Sequence, residues 1–345
     1  MKTWKIAMIG FGTVGQGLAE ILLAKEQSLK DEEGFACSVV AVSDLRLGSV
    51  LAPSGIDLKE ALRMVKEGKS LDGYPGGKGG LDALTTIRET NADVLVEIGY
   101  TDIRTGEPAT THVRQALSRG MHVVTTNKGP VALFLPDLLD LARSKGVRFL
   151  FEGTVMSGTP VLSFAKKNLA GCRVQSFSGI LNGTTNYMLT EMEKGMGYDE
   201  ILKKAQELGY AEAVPDADVK GWDALGKVVI LSNYVLGARV KPSDIPCEGI
   251  TEITPEKMKK AASEGKRYKL IGRASIEGGR IQASVAPAAL PLTDPLAGVS
   301  GPTNAVTFET DLLGSVTVVG PGAGRAATGF AVLADLIDIH RSCGK

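Results

Sequence analysis

The stretch "KIAMIGFGTVGQGLAEILL", Lys5–Leu23, decides how the first half of the chain is read. An apolar strand runs into three glycines, Gly10, Gly12 and Gly15, and then into a segment expected to be helical from Thr13 to Lys30. Each glycine has its own task. Gly10 permits a tight turn, Gly12 lets backbone approach a pyrophosphate, and Gly15 lets helix and strand close together. The helix N-terminus adds free N–H groups and a partial positive charge. A strand before and a helix after turn a weak glycine pattern into a dinucleotide-binding loop, made by Gly10, Phe11, Gly12, Thr13, Val14 and Gly15.

Outward from this loop, apolar strands alternate with helices. "SVVAVSDL" (38–45), "DVLVEIG" (93–99), "HVVTTN" (122–127) and "VRFLFEG" (147–153) read as strands, with helices over 108–119 and 134–145. "GKSLDGYPGGKGG" (68–80) reads as a mobile loop. Such strands imply a parallel sheet covered on both faces, the α/β Rossmann doubly wound arrangement. Asp44 ends the second strand, where a carboxylate hydrogen-bonds a free ribose 2′-hydroxyl and favours NAD. Arg46 or Lys59 would instead neutralise a 2′-phosphate, so NAD and NADP both stay open.

After Gly153 the rhythm changes. Helices dominate from Thr159 to Leu236 around one strand, Cys172–Leu181, and hairpin-like strands follow. This is an α+β segment. A final helix, 326–339, follows "GPGAG" and is expected to return to the first domain. The expected division is 1–152, completed by 320–345, and 153–319.

At 345 residues two domains are the natural expectation. Lysine plus arginine equal aspartate plus glutamate at 39 each, which gives no basic footprint for nucleic acid. No apolar run nears the roughly 20 residues that cross a bilayer, and the opening strand leaves no room for a signal peptide. Cys37, Cys172, Cys247 and Cys343 are scattered without metal-ligand spacing, as expected of reduced cytoplasmic thiols. His112, His122 and His340 read as structural, which leaves acid–base chemistry to lysine or carboxylates.

One stretch breaks the ordinary pattern. In "GYAEAVPDADVKGWDALGKVVIL" (209–231), Asp223 and Lys227 stand i, i+4 on a helix whose apolar residues cover nearly every direction. An exposed pair would contribute only about 0.3–0.5 kcal/mol. In an interior, losing one partner costs about 3–5 kcal/mol. So costly an arrangement suits a site.

Together "IGFGTVGQGL", "TGEPA", "HVVTTNKGPVA", "GILNGTTNYML", the carboxylate–lysine stretch and "GPGAGRAATGFAVLADLI" resemble homoserine dehydrogenase, in that family's order. The resemblance implies NAD(P)-dependent interconversion of L-aspartate 4-semialdehyde and L-homoserine by a homodimer, whose second domain carries catalysis and dimerisation. It assigns substrate contacts to Glu212 and Asp223, proton transfer to Lys227, and a place near the nicotinamide to Lys128, with Thr126 and Asn127 beside it. Gly183 and Thr184 would shape the substrate pocket and Gly322 would touch the cofactor. Glu152, Val155 and Ser157 match an optional sodium site. The chain departs from the family where Val214 replaces a carboxylate.

In the resembled reaction hydride arrival leaves an alkoxide that needs a proton, and a positioned ammonium supplies it. Reduction is then expected near neutral pH and oxidation under alkaline conditions. The rivals are another NAD(P)-dependent amino-acid or aldehyde oxidoreductase and a non-catalytic cofactor sensor. An acyl-forming dehydrogenase would need a nucleophilic cysteine, and Cys172 has no basic partner in the sequence.

Overall fold

The computed structural model describes residues 2–343. The chain divides into two units. One runs through Thr154 and resumes at Gly324, and the other is Val155–Ala323.

The first unit is built on a six-stranded sheet: β1 (Thr3–Ile9), β2 (Ala36–Asp44), β3 (Gly48–Leu51), β4 (Val94–Glu97), β5 (His122–Thr125) and β6 (Phe149–Leu150). Their order is β3-β2-β1-β4-β5-β6. All neighbours are parallel except β2 and β3. Strand order reverses between β1 and β4, so the crevice beyond their C-terminal ends is where such folds bind a dinucleotide. Helices α1 (Thr13–Glu33), α2 (Leu58–Lys66), α3 (Ala83–Glu89), α4 (Ala109–Ser118) and α5 (Lys128–Ser144) connect the strands. Trp4, Ile6, Met8, Phe11 and Leu18 anchor the core.

Several expectations change. The antiparallel edge strand β3 was not anticipated. The predicted strand over 147–153 pairs only at Phe149–Leu150, because the Glu152 N–H is taken by Asp335 Oδ2 at 3.0 Å and the chain turns. Helix α5 begins six residues before the expected 134. It kinks at Phe134, where Pro136 removes a backbone donor and crowds the preceding turn. The glycine-rich loop is anchored through Asp72, whose carboxylate accepts from the N–H groups of Ser49 and Gly80 at 2.8 Å each and from Ser70 Oγ. Those bonds, Ser49's first, pull its carboxyl down to about 2.

The second unit holds an antiparallel sheet of β7 (Val174–Ile180), β8 (Lys266–Glu277), β9 (Arg280–Pro291), β10 (Thr303–Thr310) and β11 (Gly314–Pro321), in the order β11-β10-β7-β8-β9. Its helices are α6 (Val161–Ser163), α7 (Gly183–Met192), α8 (Tyr198–Glu207), α9 (Asp216–Val219), α10 (Trp222–Tyr234) and α11 (Pro255–Ser263). Helix α7 lies against β8 and β10, and α10 against β8 and β9. Phe177 and Phe308 fill the space beneath.

Helix α12 (Arg325–Cys343) belongs to the first unit, where Val332, Leu333, Leu336 and Ile339 join the core. The second division therefore falls after the expected 319/320, because β11 stays paired with β10 as far as Pro321. Among the described residues no helix is long and apolar enough to cross a membrane.

Candidate active site

In the first unit the glycine loop joins β1 to α1. Gly10 has φ +98°, and a Cβ there would lie 2.6 Å from the Ile98 carbonyl oxygen. A Cβ on Gly15 would meet the Gly10 oxygen at 2.8 Å. Both are therefore required by packing. Gly12 differs: a Cβ there would touch nothing within 4 Å. Its missing side chain leaves a space at the start of α1 of the kind a pyrophosphate needs, so these residues fit a dinucleotide.

Asp44 closes the loop from the next strand. Its Oδ2 accepts from the Phe11 N–H at 2.7 Å, and its Oδ1 from the N–H groups of Arg46 and Leu47 at 2.8 and 3.1 Å. These use three of the carboxylate's roughly four acceptor positions. The Arg46 side chain is exposed. Lys59 does not reach this place. It sits at the start of α2, where Ile56 bonds to Val39 deep in β2, and its charge acts on Glu26. Glu26 lies fourteen residues beyond Gly12, about 20 Å along α1. The sequence placed Lys59 by its helix and could not show that β3 carries the chain back to the opposite end of the sheet. Thr126, Asn127 and Lys128 follow β5. Asn127 caps α5, accepting from the Gly129 N–H at 3.2 Å, and Lys128 is the first helical residue.

In the second unit the side chains cluster where α7 and α10 begin. Lys227 is buried, 7% exposed, and its Nζ donates to Asp223 Oδ2 at 2.7 Å and to the Leu181 carbonyl at 2.6 Å. Asn182 is the N-cap of α7, its Oδ1 accepting from the Thr185 N–H at 2.9 Å. Its Nδ2 donates to Asp223 Oδ2 at 2.9 Å and to Asp218 Oδ1 at 2.7 Å. Two carboxylates thus share one amide. Burial, and next the Asp223 charge, push the Asp218 carboxyl above its ordinary range. Thr184 Oγ1 donates to the Tyr210 carbonyl at 2.5 Å. A Cβ on Gly183 would lie 2.6 Å from the Pro302 oxygen.

The expected residues are not all drawn together. Glu212 is exposed, and its backbone carbonyl accepts from Gln206 Nε2 at 3.1 Å. Asp216 forms a surface pair with Lys220. Gly322 packs on Asn304: a Cβ there would meet that amide at 2.2 Å. Val155 and Ser157 are buried, and Met156 and Ser157 hold left-handed φ values of 58° and 54°. Glu152 is a buried carboxylate. Among the described residues no group of three or more His, Cys, Asp or Glu could hold a metal ion. Asn182 and Asp218 received no role from the sequence. An asparagine just before a helix is a recognisable cap, but its second partner lies 36 residues on.

A family model for homoserine dehydrogenase matches residues 160–337, and one for the homoserine dehydrogenase NAD binding domain matches residues 10–152. An NAD(+)-dependent homoserine dehydrogenase of Pseudomonas canavaninivorans is 47% identical over 345 residues, 99% of this chain and 97% of that protein. A homoserine dehydrogenase of Methanocaldococcus jannaschii is 40% identical over 342 residues, 99% of each. The solved structure of a hyperthermophilic archaeal homoserine dehydrogenase in complex with NADPH superposes with a TM-score of 0.85 at 29% identity, covering 99% of this chain and 98% of that one. The chain is an NAD(P)-dependent oxidoreductase and belongs to the homoserine dehydrogenase family.

Proposed function

We propose that Lys227 is the proton donor in the interconversion of L-aspartate 4-semialdehyde and L-homoserine. The observation that carries this is the pair of bonds from its Nζ to Asp223 and to the Leu181 carbonyl. An ammonium has three protons, and two are directed by these acceptors. The third is left for the substrate oxygen. Asp223 fixes the donor's direction, and Asn182 holds Asp223 in turn. Proton transfer from a group placed in this way contributes about 10²–10⁴-fold.

Bound NAD(P) supplies or accepts the hydride. Gly10, Phe11, Gly12, Thr13, Val14 and Gly15 would hold its pyrophosphate, with Thr126, Asn127 and Gly322 as further contacts. Asp44 supports NAD over NADP, because a carboxylate welcomes a 2′-hydroxyl and repels a 2′-phosphate, and so does the chain's 47% identity to the NAD(+)-dependent relative of Pseudomonas canavaninivorans. On the substrate side, Glu212, Asp223 and Asp218 would receive the α-ammonium, Gly183 and Thr184 would shape the pocket, and Lys128 would lend electrostatic support.

A homodimer formed through the second unit and an optional sodium ion at Glu152, Val155 and Ser157 rest on the resemblance. Sedimentation and a sodium-for-potassium exchange test them. The four free cysteines support a reducing, cytoplasmic location. The decisive experiment is homoserine turnover with NAD and with NADP, alongside Lys227→Ala. Unchanged turnover by that variant would pass the role to Lys128.

A further inference from the structure

Glu97 closes β4 at the point where strand order reverses, and it is 1% exposed. A carboxylate so deeply buried is costly unless paired and hydrogen-bonded. Among the described residues its neighbours are Gly99 in the loop after β4, Thr125 at the end of β5 and His112 on α4. The Gly99 N–H donates to Oε1 at 3.3 Å. The Thr125 hydroxyl donates to the Glu97 carbonyl at 2.7 Å and lies 3.3 Å from Oε2. On α4, His112 Nδ1 stands 3.6 Å from Oε1, beyond hydrogen-bond reach, with no hydrogen-bond partner among the described residues.

These contacts continue toward the glycine loop. The Thr125 hydroxyl accepts from the Asn127 N–H at 3.0 Å, and Asn127 Nδ2 donates to the Tyr100 carbonyl at 2.7 Å. The loop after β4 is thereby tied to the loop after β5. The Ile98–Gly99 backbone is also the wall against which Gly10 closes, with 2.6 and 2.9 Å between a Gly10 Cβ and the Ile98 oxygen and Gly99 nitrogen. Neither strand's apolar pattern requires a carboxylate here, and the cluster takes no part in the proton transfer above.

We propose that Glu97 is a positioning residue for the dinucleotide. Its carboxylate fixes Gly99, while its backbone carbonyl holds the Thr125 hydroxyl and with it the Asn127 cap, so that both crevice loops are set before the cofactor arrives. Preorganisation of this kind raises affinity by removing the cost of ordering loops on binding. The inference rests on dinucleotide binding by the first unit and adds the residue that prepares it.

The test is direct titration of NADH and NADPH by nucleotide fluorescence, with steady-state kinetics and Tm, for wild type, Glu97→Ala, Glu97→Gln and Thr125→Val. Glu97→Ala is expected to weaken binding of the preferred nucleotide about fivefold or more, with the homoserine KM within about twofold of wild type. Glu97→Gln keeps an acceptor for the Gly99 N–H and should recover much of that loss. Thr125→Val removes the hydroxyl at nearly constant shape and should weaken binding in the same sense, which tests the link between the two loops; if Glu97→Ala does not fold, Glu97→Leu, which fills the space without an acceptor, takes its place. Nucleotide affinity within twofold of wild type in every variant that folds, with only Tm lowered, would overturn the proposal. Failure of wild type to bind either nucleotide would instead refute the cofactor assignment, and this inference with it.

Discussion

Lys227 and Asp223 meet at 2.7 Å one helical turn apart at the start of α10, with both side chains largely withdrawn from water. The same Asp223 oxygen also receives the Asn182 amide, so the lysine's direction is set from two helices. Lys227→Ala is expected to lower kcat by about 10²–10⁴ while dinucleotide affinity, read by fluorescence titration, stays within about twofold. Retention of most of the turnover would remove Lys227 from the proton path.

The ammonium is the form that donates. The reverse reaction needs the neutral amine as acceptor. Semialdehyde reduction should therefore run well near neutral pH, and homoserine oxidation should rise toward alkaline pH. Matching optima for the two directions would count against this shuttle.

Burial and the neighbouring Asp223 charge hold the Asp218 carboxyl above its ordinary range. A group raised in this way stabilises the fold below its unfolded value and loses that contribution as pH climbs through the raised value. Ionised, Asp218 works against folding. Asp218→Asn should raise Tm at pH 7, by roughly 2–4 °C for each kcal/mol removed. That gain should vanish below about pH 4, where the wild-type carboxyl is already protonated. A lower Tm at pH 7 would contradict this, and kcat/KM for homoserine should fall in the same variant.

Asp44 supports the glycine loop through Phe11 and bears the charge that a 2′-phosphate would meet. Asp44→Asn keeps an acceptor for that N–H and removes the charge. The ratio of kcat/KM with NADP to that with NAD should rise about tenfold, equivalent to about 1.4 kcal/mol. An unchanged ratio would place cofactor choice elsewhere.

Gly322 and Asn304 exclude one another's side chains, and the Asn304 amide is buried with no hydrogen-bond partner among the described residues. Gly322→Ala should destabilise the fold by about 1–3 kcal/mol. Adding Asn304→Ala opens the space, so the double variant should be more stable in urea than the sum of the single effects by about 0.5–3 kcal/mol. Simple additivity would deny the contact.

The parts of the fold legible in the sequence were those where one residue type answers one local demand. Gly10 and Gly15 are dictated by backbone contacts under 3 Å, and the i, i+4 spacing of Asp223 and Lys227 survives because both lie on one helix. The four-residue β3 was too short to announce itself, and with it went the placement of Lys59. Helix α5 starts at the Asn127 cap, six residues before the expected 134. Asp218 stayed without a role because it belongs to α9, and the left-handed turn at Gly221 (φ 82°) that leads from it into α10 is a tertiary fact. Glu97 was hidden in an otherwise apolar strand, where its neighbours come from α4 and β5.

Helix α12 packs on α1 so tightly that a Cβ on Gly17 would lie 2.4 Å from the Arg325 oxygen, and Trp4 donates to His340 at 3.1 Å. Translation order gives this closure a consequence. The ribosome delivers β1 early but withholds its helical cover until all of Val155–Ala323 has been made. The inserted unit thus has its whole sequence available while the nucleotide-binding unit still waits with its apolar surface unsealed, so nascent chains stalled before Arg325 should be ready substrates for chaperones and proteases.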